Sequence, residues 1–288
     1  YHAAAYKHVP LMEQNTIQCI LNNVFGTLNV GKAAIRAGVE GCILVSTDKA
    51  VNPTNFMGAS KRLAEIICQT LTIQQTQTNF SIVRFGNVLG SSGSVVPLFK
   101  KQIRAGGPVT VTHQDVTRYF MTIPEAAQLV IQAGGISVGG EVFILDMGTP
   151  IKIVELAMKM VMLSRKIPVF NSDNLKSDEV LISITGLRPG EKLFEELSYN
   201  SNLSKTVHPR IWTTVEKSLK PEELERIVNG LKRAIDSDDY KKLFGIVKTL
   251  CADVVDLTGT HDVLIKKSED QESEMNINDA KKVSLKEI

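Results

Sequence analysis

The stretch Cys42-Ile43-Leu44-Val45-Ser46-Thr47-Asp48-Lys49 decides the fold class of this chain. Its first four residues are a continuous apolar run, which is typical of a strand buried on both faces of a parallel sheet. The polar residues that follow are placed for chemistry, because ligands of open α/β sheets bind beyond the carboxyl ends of the strands. Thr47, Asp48 and Lys49 are therefore candidates for proton transfer. A helix cap or a turn salt bridge would use the same residue types, and both interpretations stay open.

Helical and extended patterns alternate around this strand. Apolar positions recur at helical spacing over residues 16–37, Gly38 supplies a stop, and a further helix over 60–72 precedes a strand over 81–85. This alternation indicates βαβ units and a parallel sheet. After residue 107 we expect an exposed short strand at 109–112, strands at 142–145 and 180–184, and helices at 124–133, 151–164, 221–235 and 238–250.

The patterns together predict an α/β protein with a parallel sheet and a smaller C-terminal α/β lobe. We place the first domain at residues 1–112 and the lobe with its terminal helices at 113–265. Residues 266–288 are charged and carry few large apolar side chains, so this tail is predicted to be disordered. The chain begins with Tyr1 rather than Met, and we expect it to be an excerpt of a longer protein.

The composition argues against several functional classes. The 33 Lys and Arg residues against 31 Asp and Glu residues give a formal net charge of +2, and only 6% of residues are aromatic. Neither property favours a nucleic-acid partner. No apolar run reaches the ~18 residues that span a bilayer. The 5 His residues show no metal-ligand spacing, and the 4 separated cysteines favour buried thiols over disulfides.

A glycine-serine loop, residues 86–94, follows the predicted strand at 81–85 and precedes a helical pattern. Such a loop can bind the phosphate of a substrate through free backbone N–H groups. It can also be an ordinary loop. With Asp115 roughly 20 residues further on, it resembles a dinucleotide fingerprint as well, but two strand-helix units already precede it. The substrate-phosphate interpretation is favoured, and the other two stay open.

Two further motifs have plain alternatives. Met57 and Lys61 are four residues apart and share one helix face, which more often means a core residue beside a surface residue. In the segment 186–192, Arg188 stands beside a Pro-Gly turn, an arrangement that suits bidentate phosphate recognition. An ordinary turn with exposed charges explains it equally well.

Taken in order, these segments resemble one family from Tyr1 to about Trp212. They are similar to the UDP-N-acetylglucosamine 4,6-dehydratases, the polysaccharide-biosynthesis branch of the extended short-chain dehydrogenases/reductases. The motifs that carry the resemblance are residues 2–10 (HAAAYKHVP), 46–53 (STDKAVNP), 57–61 (MGASK), 84–90 (RFGNVLG), 117–122 (TRYFMT) and 188–192 (RPGEK).

The resemblance implies a Rossmann domain for NADP or NAD and a smaller lobe for a UDP-sugar. In this family the matching positions divide into three groups. Cofactor contacts fall on Ala3, Ala4, Lys7, Asn23 and Lys61. Substrate contacts fall on Lys7, Asn87, Ser94, Arg118, Arg188 and Glu191. The catalytic positions are Thr47, Asp48, Lys49, Met57 and Lys61, with Lys49 as base, Asp48 as acid and no metal.

Two departures from the family pattern matter. The glycine fingerprint and the first strands of the Rossmann domain are absent, as expected if the chain begins at the fourth strand. The usual active-site Tyr is Met57, which the resemblance associates with the larger, often membrane-anchored members that retain configuration at C5. It further implies a homo-oligomer, a place in the cytoplasm or on the cytoplasmic face of the inner membrane, and room for a membrane anchor before Tyr1.

The base and acid roles create a conflict, because they need a neutral Lys49 and a protonated Asp48. Two such groups side by side favour both charged forms. Burial, a cationic nicotinamide and Lys61 are expected to lower the pKa of Lys49. Met57 cannot accept a proton, so Thr47, Asp48 or a water must relay the proton of the C4 hydroxyl. Two alternatives remain, a UDP-sugar 4-epimerase and a non-catalytic nucleotide-sugar-binding module.

Overall fold

The computed structural model describes residues 1–75, 77–171, 173–199, 203–216 and 218–254. Its strands are β1 (Gly41–Val45), β2 (Asn79–Arg84), β3 (Asn87–Val88), β4 (Val109–Val111), β5 (Thr117–Arg118), β6 (Phe120–Met121), β7 (Val142–Leu145), β8 (Ile151–Lys152), β9 (Ile167–Val169), β10 (Glu179–Ile184), β11 (Ser204–Lys205) and β12 (Ile211–Thr214). Its helices are α1 (Val9–Glu13), α2 (Thr16–Ile20), α3 (Gly26–Arg36), α4 (Phe56–Gln74), α5 (Val95–Arg104), α6 (Ile123–Ile136), α7 (Ile153–Leu163), α8 (Pro221–Asp236) and α9 (Tyr240–Leu250).

A central sheet of five strands has the order β1-β2-β7-β12-β11. Strands β1, β2 and β7 are parallel, and β12 and β11 extend the sheet in antiparallel fashion. On the other side of β1, His2 forms a parallel bridge with Leu44. The strands of the parallel part are buried, as their continuous apolar runs predict. The α/β fold class is confirmed.

The smaller lobe contains a second sheet of three parallel strands in the order β4-β10-β9. Its core packs α5 and α7 against β4 and β10. The prediction of an exposed strand at 109–112 is wrong about exposure. Val109 and Val111 are almost completely buried, because the alternation of Val and Thr turns both valines toward α5 and α7.

Helix α4 is nearly covered on all sides. It contacts β2, α3 and α8, and its apolar residues share one core cluster with the C-terminal helices α8 and α9. The predicted helix over 60–72 begins earlier, at Phe56, because the side chain of Asn55 accepts a hydrogen bond from the backbone N–H of Gly58 at 2.8 Å. The helix predicted over 16–37 is confirmed, with a π-helical turn at Leu21–Phe25, and Gly38 ends it with φ of +63°.

The chain passes between the two sheets repeatedly. It leaves the central sheet after β2, returns for α6 and β7, leaves again for α7, β9 and β10, and returns for β11 and β12. Strands β7 and β12 of the central sheet therefore follow residue 112, while β4 of the second sheet precedes it. The division at 1–112 and 113–265 stays a prediction, and the tail 266–288 lies outside the described residues.

The four cysteines are free and buried, which confirms the prediction of buried thiols. Burial raises the pKa of the Cys19 thiol to about 12. In the parts of the chain that the structure describes, no helix is long and apolar enough to cross a bilayer, and no group of His, Cys, Asp and Glu residues is arranged to hold a metal ion.

Candidate active site

A cavity of about 630 Å³ opens at the carboxyl ends of β1 and β2, between the central sheet and the smaller lobe. This is where open α/β sheets bind ligands. The sequence predictions converge here, because most of the predicted site residues line this one cavity. They are Ala3, Lys7, Thr47, Lys49, Met57, Lys61, Asn87, Ser94, Arg118, Arg188 and Glu191. Ala4, Asn23 and Asp48 do not line it.

Thr47, Asp48 and Lys49 form the floor of the cavity at the end of β1. Asp48 and Lys49 lie in a 3-10 helical turn that begins after Thr47. The Thr47 hydroxyl donates to Asp48 Oδ1 at 2.8 Å, and Lys49 Nζ donates to the same oxygen at 3.0 Å. Thr47 also accepts the backbone N–H of Lys49 at 3.4 Å, so the cap is present, and the chemical interpretation stays a prediction beside it. Asp48 is 1% exposed and reaches the cavity through Lys49.

The ammonium group of Lys49 is surrounded by oxygen atoms. Besides Asp48, Nζ contacts Asn87 Oδ1 at 3.3 Å and Glu195 Oε1 at 3.4 Å. Burial by itself would lower the pKa of Lys49, but Asp48 and Glu195 outweigh burial and the repulsion of Arg118, and the pKa is raised. Without a bound nicotinamide, the pKa of Lys49 is thus raised rather than lowered, chiefly because Asp48 favours the charged form, and Glu195 adds a second carboxylate that the sequence did not predict.

The first turn of α4 forms a second wall and carries Met57 and Lys61. It packs directly on the floor, since a Cβ atom at Gly58 would lie 2.2 Å from the Lys49 carbonyl oxygen. Lys61 is buried, and its Nζ donates to the carbonyl oxygen of Val45 at 2.8 Å. Burial lowers the pKa of Lys61. Both Met57 and Lys61 line the cavity, as their spacing on one helix face predicts.

Glu13, at the end of α1, supports this wall. One carboxylate oxygen accepts the backbone N–H of Phe56 at 2.7 Å, and the other is buried without a partner among the described residues. Burial raises the pKa of Glu13 to about 7, although the backbone N–H groups of Phe56 and Met57 oppose the shift. Glu13 thus fixes the start of α4 from a neighbouring element.

The segment between the first strand residues and α1 forms a third wall. Ala3 and Lys7 line the cavity, whereas Ala4 does not. Asn23 lies behind the wall, where its side chain accepts the backbone N–H of Tyr6 at 2.7 Å and donates to the Tyr6 carbonyl at 2.9 Å. Asn23 therefore holds the backbone next to Lys7.

The glycine-serine loop, residues 86–94, closes the cavity on the side of α5. Gly93 has φ of +67°, and a Cβ atom there would lie 1.8 Å from the His8 ring, so the loop packs tightly on the third wall. Ser94 precedes α5, and its hydroxyl is buried without a partner among the described residues. Asp115 pairs with Lys152 at 3.3 Å away from the cavity lining, which disfavours the dinucleotide-fingerprint interpretation of this loop.

Arg118 organises the last wall, which is formed by residues 188–195. Its guanidinium donates to the backbone carbonyls of Thr117, Leu193 and Lys192 at 2.7, 3.1 and 2.8 Å. It also contacts the carboxylates of Glu191 and Glu195, each at 3.5 Å. Arg188 is exposed and faces the cavity from this wall.

A buried ion cluster stands behind the cavity, at the end of β2. Arg84 donates to Glu65 at 2.7 and 2.6 Å and to Glu216 at 2.6 and 2.9 Å. Arg62 contacts the same two carboxylates at 3.1 and 2.7 Å. Burial opposes ionisation of Glu65, but Arg84 and Arg62 outweigh burial and lower its pKa. The cluster ties Glu216, which follows β12, to the core of the sheet.

Sequence reasoning missed Glu13 and Glu195. Glu195 follows the RPGEK motif closely, and a carboxylate beside a matched motif was the available signal for it. Glu13 stands at the end of an apolar stretch far in sequence from Met57, and no local pattern indicates that the two meet.

The walls around Ala3, Lys7, Met57 and Lys61 fit the nicotinamide and ribose portion of a dinucleotide. The small side chains of Ala3 and Ala5 leave space for a flat ring beside the end of β1, and Lys61 is buried within reach of that space. No G-x-G-x-x-G pattern occurs in the chain, so these residues fit one portion of the cofactor.

A parallel sheet with a cavity at the carboxyl ends of its strands and a smaller lobe beside it is typical of the α/β folds that bind dinucleotides. Residues 1–216 match the model of the family described as "Polysaccharide biosynthesis protein", and the chain belongs to this family. The resemblance stated from the sequence motifs is thereby confirmed.

The chain is similar to several curated proteins. It is 56% identical over 210 residues to the capsular polysaccharide biosynthesis protein CapD of Staphylococcus aureus, covering 73% of this chain and 33% of that protein. It is 35% identical over 235 residues to a UDP-N-acetylglucosamine 4,6-dehydratase (inverting) of Campylobacter jejuni, covering 80% and 65%. A UDP-glucose 4-epimerase of Rickettsia rickettsii is 37% identical over 207 residues, covering 71% and 57%.

The fold is also similar to that of a solved structure, Pen from Bacillus thuringiensis. The two share 34% sequence identity with a TM-score of 0.66, over 79% of this chain and 74% of that one. The chain spans about a third of the length of the Staphylococcus relative.

Proposed function

We propose that the full-length protein is a nucleotide-sugar 4,6-dehydratase for surface polysaccharide biosynthesis. Its reaction converts UDP-N-acetylglucosamine into a UDP-4-keto-6-deoxy sugar with retention at C5. One observation carries the proposal. The hydrogen-bonded pair Asp48–Lys49 reaches the same cavity that Met57 and Lys61 line on one side and Arg188 lines on the other. A protein that only binds a nucleotide sugar has no need of that pair.

The reaction needs both an acid and a base. The C5 proton of a hexose is weakly acidic, and the C6 hydroxyl is a poor leaving group. Oxidation at C4 makes a ketone, which acidifies C5. A base then takes the C5 proton while an acid protonates the C6 oxygen, the C6–O bond breaks, and water leaves.

Lys49 is the proposed base and Asp48 the proposed acid. Lys49 rests as an ammonium ion, in line with its raised pKa. A proton transfer from Lys49 Nζ to Asp48 Oδ1, which are 3.0 Å apart, converts the charged pair into a neutral amine and a carboxylic acid. The pair then holds the two forms that elimination uses, and Lys49 lines the cavity in reach of a sugar.

The proton of the C4 hydroxyl needs a separate route, because the thioether of Met57 cannot accept it. Thr47 is proposed for this relay, since it lines the cavity and its hydroxyl donates to Asp48 at 2.8 Å. A water held between the sugar and Thr47 would serve the same route. Lys61, which is buried on the wall beside Met57, is proposed to hold the nicotinamide ribose.

The UDP-sugar is proposed to lie along the opposite walls. Lys7, Asn87 and the backbone N–H groups before α5 would face the diphosphate together with Ser94, whose hydroxyl has no partner among the described residues. Arg188 adds a positive charge from the wall that Arg118 and Glu191 organise.

NADP or NAD bound against Ala3, Lys7 and Lys61 would accept the hydride from C4 and return it to C6, while Lys49 would return the proton that it took to C5 on the same face. Ala4 and Asn23 are proposed to support this site from outside the cavity, Asn23 through the Tyr6 backbone. The full-length protein is further proposed to be a homo-oligomer in the cytoplasm or on the cytoplasmic face of the inner membrane. Cell fractionation of the full-length protein would distinguish the two locations.

The test is one incubation of the full-length protein with UDP-N-acetylglucosamine and NADP⁺, followed by NMR. A 4-keto-6-deoxy product with unchanged C5 configuration supports the proposal, and inverted C5 would correct its stereochemistry. UDP-N-acetylgalactosamine as the product would establish a 4-epimerase instead. Binding without any product, with the Lys49→Ala variant binding equally well, would establish a non-catalytic module.

A further inference from the structure

Glu195 is a buried carboxylate that sits between two cationic side chains of the cavity. It is 5% exposed, and a single oxygen, Oε1, lies 3.4 Å from Lys49 Nζ and 3.5 Å from Arg118 Nε. The two cations come from different parts of the cavity. Lys49 lies on the floor after β1, and Arg118 lies on β5 and organises the last wall. One oxygen of Glu195 therefore joins the floor of the cavity to the lobe.

The surroundings of Lys49 Nζ match the charged form of a lysine. An ammonium group has three N–H donors and no acceptor. Lys49 Nζ meets three acceptor oxygens, from Asp48 at 3.0 Å, Asn87 at 3.3 Å and Glu195 at 3.4 Å. A neutral amine keeps only two N–H groups and would turn its lone pair toward one of these three oxygens, so the geometry favours the ammonium ion. Glu195 supplies the acceptor that comes from the lobe.

Arg118 fixes the position of Glu195. Its other N–H groups are bound to the backbone carbonyls of Thr117, Lys192 and Leu193, so the guanidinium is held on the segment that carries Glu195. The neighbouring Glu196 is different, because it is about half exposed, does not line the cavity and pairs with Lys192 and Asn52 rather than with Lys49. The chain thus offers a matched control one residue away.

We propose that Glu195 is a positioning residue for Lys49, which holds the lysine as an ammonium ion aimed into the cavity through one oxygen that Arg118 fixes in place. The charged groups that face Lys49 are Asp48, Glu195 and Arg118, and Arg118 opposes the two carboxylates. Removing the Glu195 charge therefore makes it easier for Lys49 to lose its proton. The effect of Glu195 on catalysis rests on the proposed function, whereas its effect on the charge and position of Lys49 does not.

The test is an NMR titration of the 288-residue chain grown with lysine labelled with ¹³C at Cε. The Lys49 signal is identified by its absence in Lys49→Arg. Glu195→Gln keeps the size of the side chain and removes its charge, and it should lower the pKa of Lys49 by about one pH unit. Glu195→Asp keeps the charge and should lower the pKa of Lys49 by less than Glu195→Gln does. Glu196→Gln should leave the pKa of Lys49 unchanged. If Glu195→Gln does not fold, Glu195→Asp alone should still lower the pKa, because its carboxylate is shorter.

The same variants in the full-length protein separate this inference from the proposed function. With dehydratase activity present, Glu195→Gln should move the limb of the kcat profile that belongs to Lys49 toward lower pH, with little change in KM. An unchanged Lys49 titration in folded Glu195→Gln overturns the inference whether or not the protein is a dehydratase. A shifted titration in a protein that forms no 4-keto-6-deoxy product upholds the link and overturns the proposed function.

Discussion

Replacing Arg84 by Met should lower the free energy of unfolding by about 3 to 5 kcal/mol, because it removes one cation from a buried ion cluster and leaves both carboxylates in place. Arg84 is 0% exposed and makes four hydrogen bonds of 2.6–2.9 Å to Glu65 and Glu216. With Arg62, the cluster contains two positive and two negative groups. Met fills the volume but leaves a surplus negative charge beside the fully buried Glu65.

Two further variants separate the charge from the packing. Arg84→Lys keeps the charge but cannot reproduce the fork of donors, so its loss should be smaller, about 1 to 3 kcal/mol. The double variant Arg84→Met/Glu65→Met leaves Arg62 paired with Glu216 and should recover part of the stability of Arg84→Met. Recovery would identify the unpaired carboxylate as the cause.

The assay is urea unfolding of the 288-residue chain, monitored by circular dichroism. Free energies of unfolding are compared only between variants that have the same m-value, the slope of free energy against urea concentration. A loss below about 1 kcal/mol for Arg84→Met is the size expected of an exposed ion pair. That result would refute the cluster as a determinant of stability, as would a double variant no more stable than the single one.

The remaining predictions concern the cavity. In the full-length protein, Lys49→Ala and Asp48→Asn should abolish dehydration but keep nucleotide-sugar binding, measured by NMR of the product and by calorimetry; near-normal turnover would contradict the assigned roles. The 288-residue chain alone should bind NADP weakly, because it lacks the glycine fingerprint, and tight binding in calorimetry would show that the chain boundaries are misjudged. The pKa of Glu13 is about 7 in the folded protein and 4.5 for a free carboxyl group. Between pH 4.5 and about 7 the folded state therefore holds a proton on Glu13 that the unfolded state has lost, so the free energy of unfolding falls as the pH rises through this range. Glu13→Gln should flatten this decline in urea unfolding across the same pH range, and an equally steep decline in the variant would assign it to other groups.

Local patterns in the sequence predict much of the fold and most of the cavity. The run Cys42–Val45 followed by polar residues marks both a buried strand and its functional end, because burial and chain direction are written into neighbouring residues. Met57 and Lys61 are predicted on one face by helical spacing alone. The motifs at Arg118 and Arg188 were recognised by resemblance, and the structure brings them to the same cavity.

The contacts that the sequence did not reveal are those between distant segments. Glu195 meets Lys49 across about half of the chain, and its carboxylate adds to that of Asp48 in raising the pKa of Lys49. Glu13 meets the first turn of α4 through tertiary packing. Val109 and Val111 read as an exposed strand, because nothing local indicates that α5 and α7 cover one side of it. In each case the contacting residue is too far away in the sequence for hydrophobic periodicity to indicate the contact.

The repeated passage of the chain between its two sheets has a mechanical consequence. In the described part of the chain, connections between the sheets run through residues 86–94, 112–122, 146–152 and 185–199, and the first, second and fourth contribute Asn87, Arg118 and Arg188 to the cavity. The loops that line the cavity are therefore also the connections between the two sheets. A ligand that immobilises them stiffens the whole molecule, and rotation of the lobe away from the sheet would require several binding loops to bend together. Ligand exchange is expected to proceed through movements of single side chains and loop tips rather than through a wide opening of the two halves.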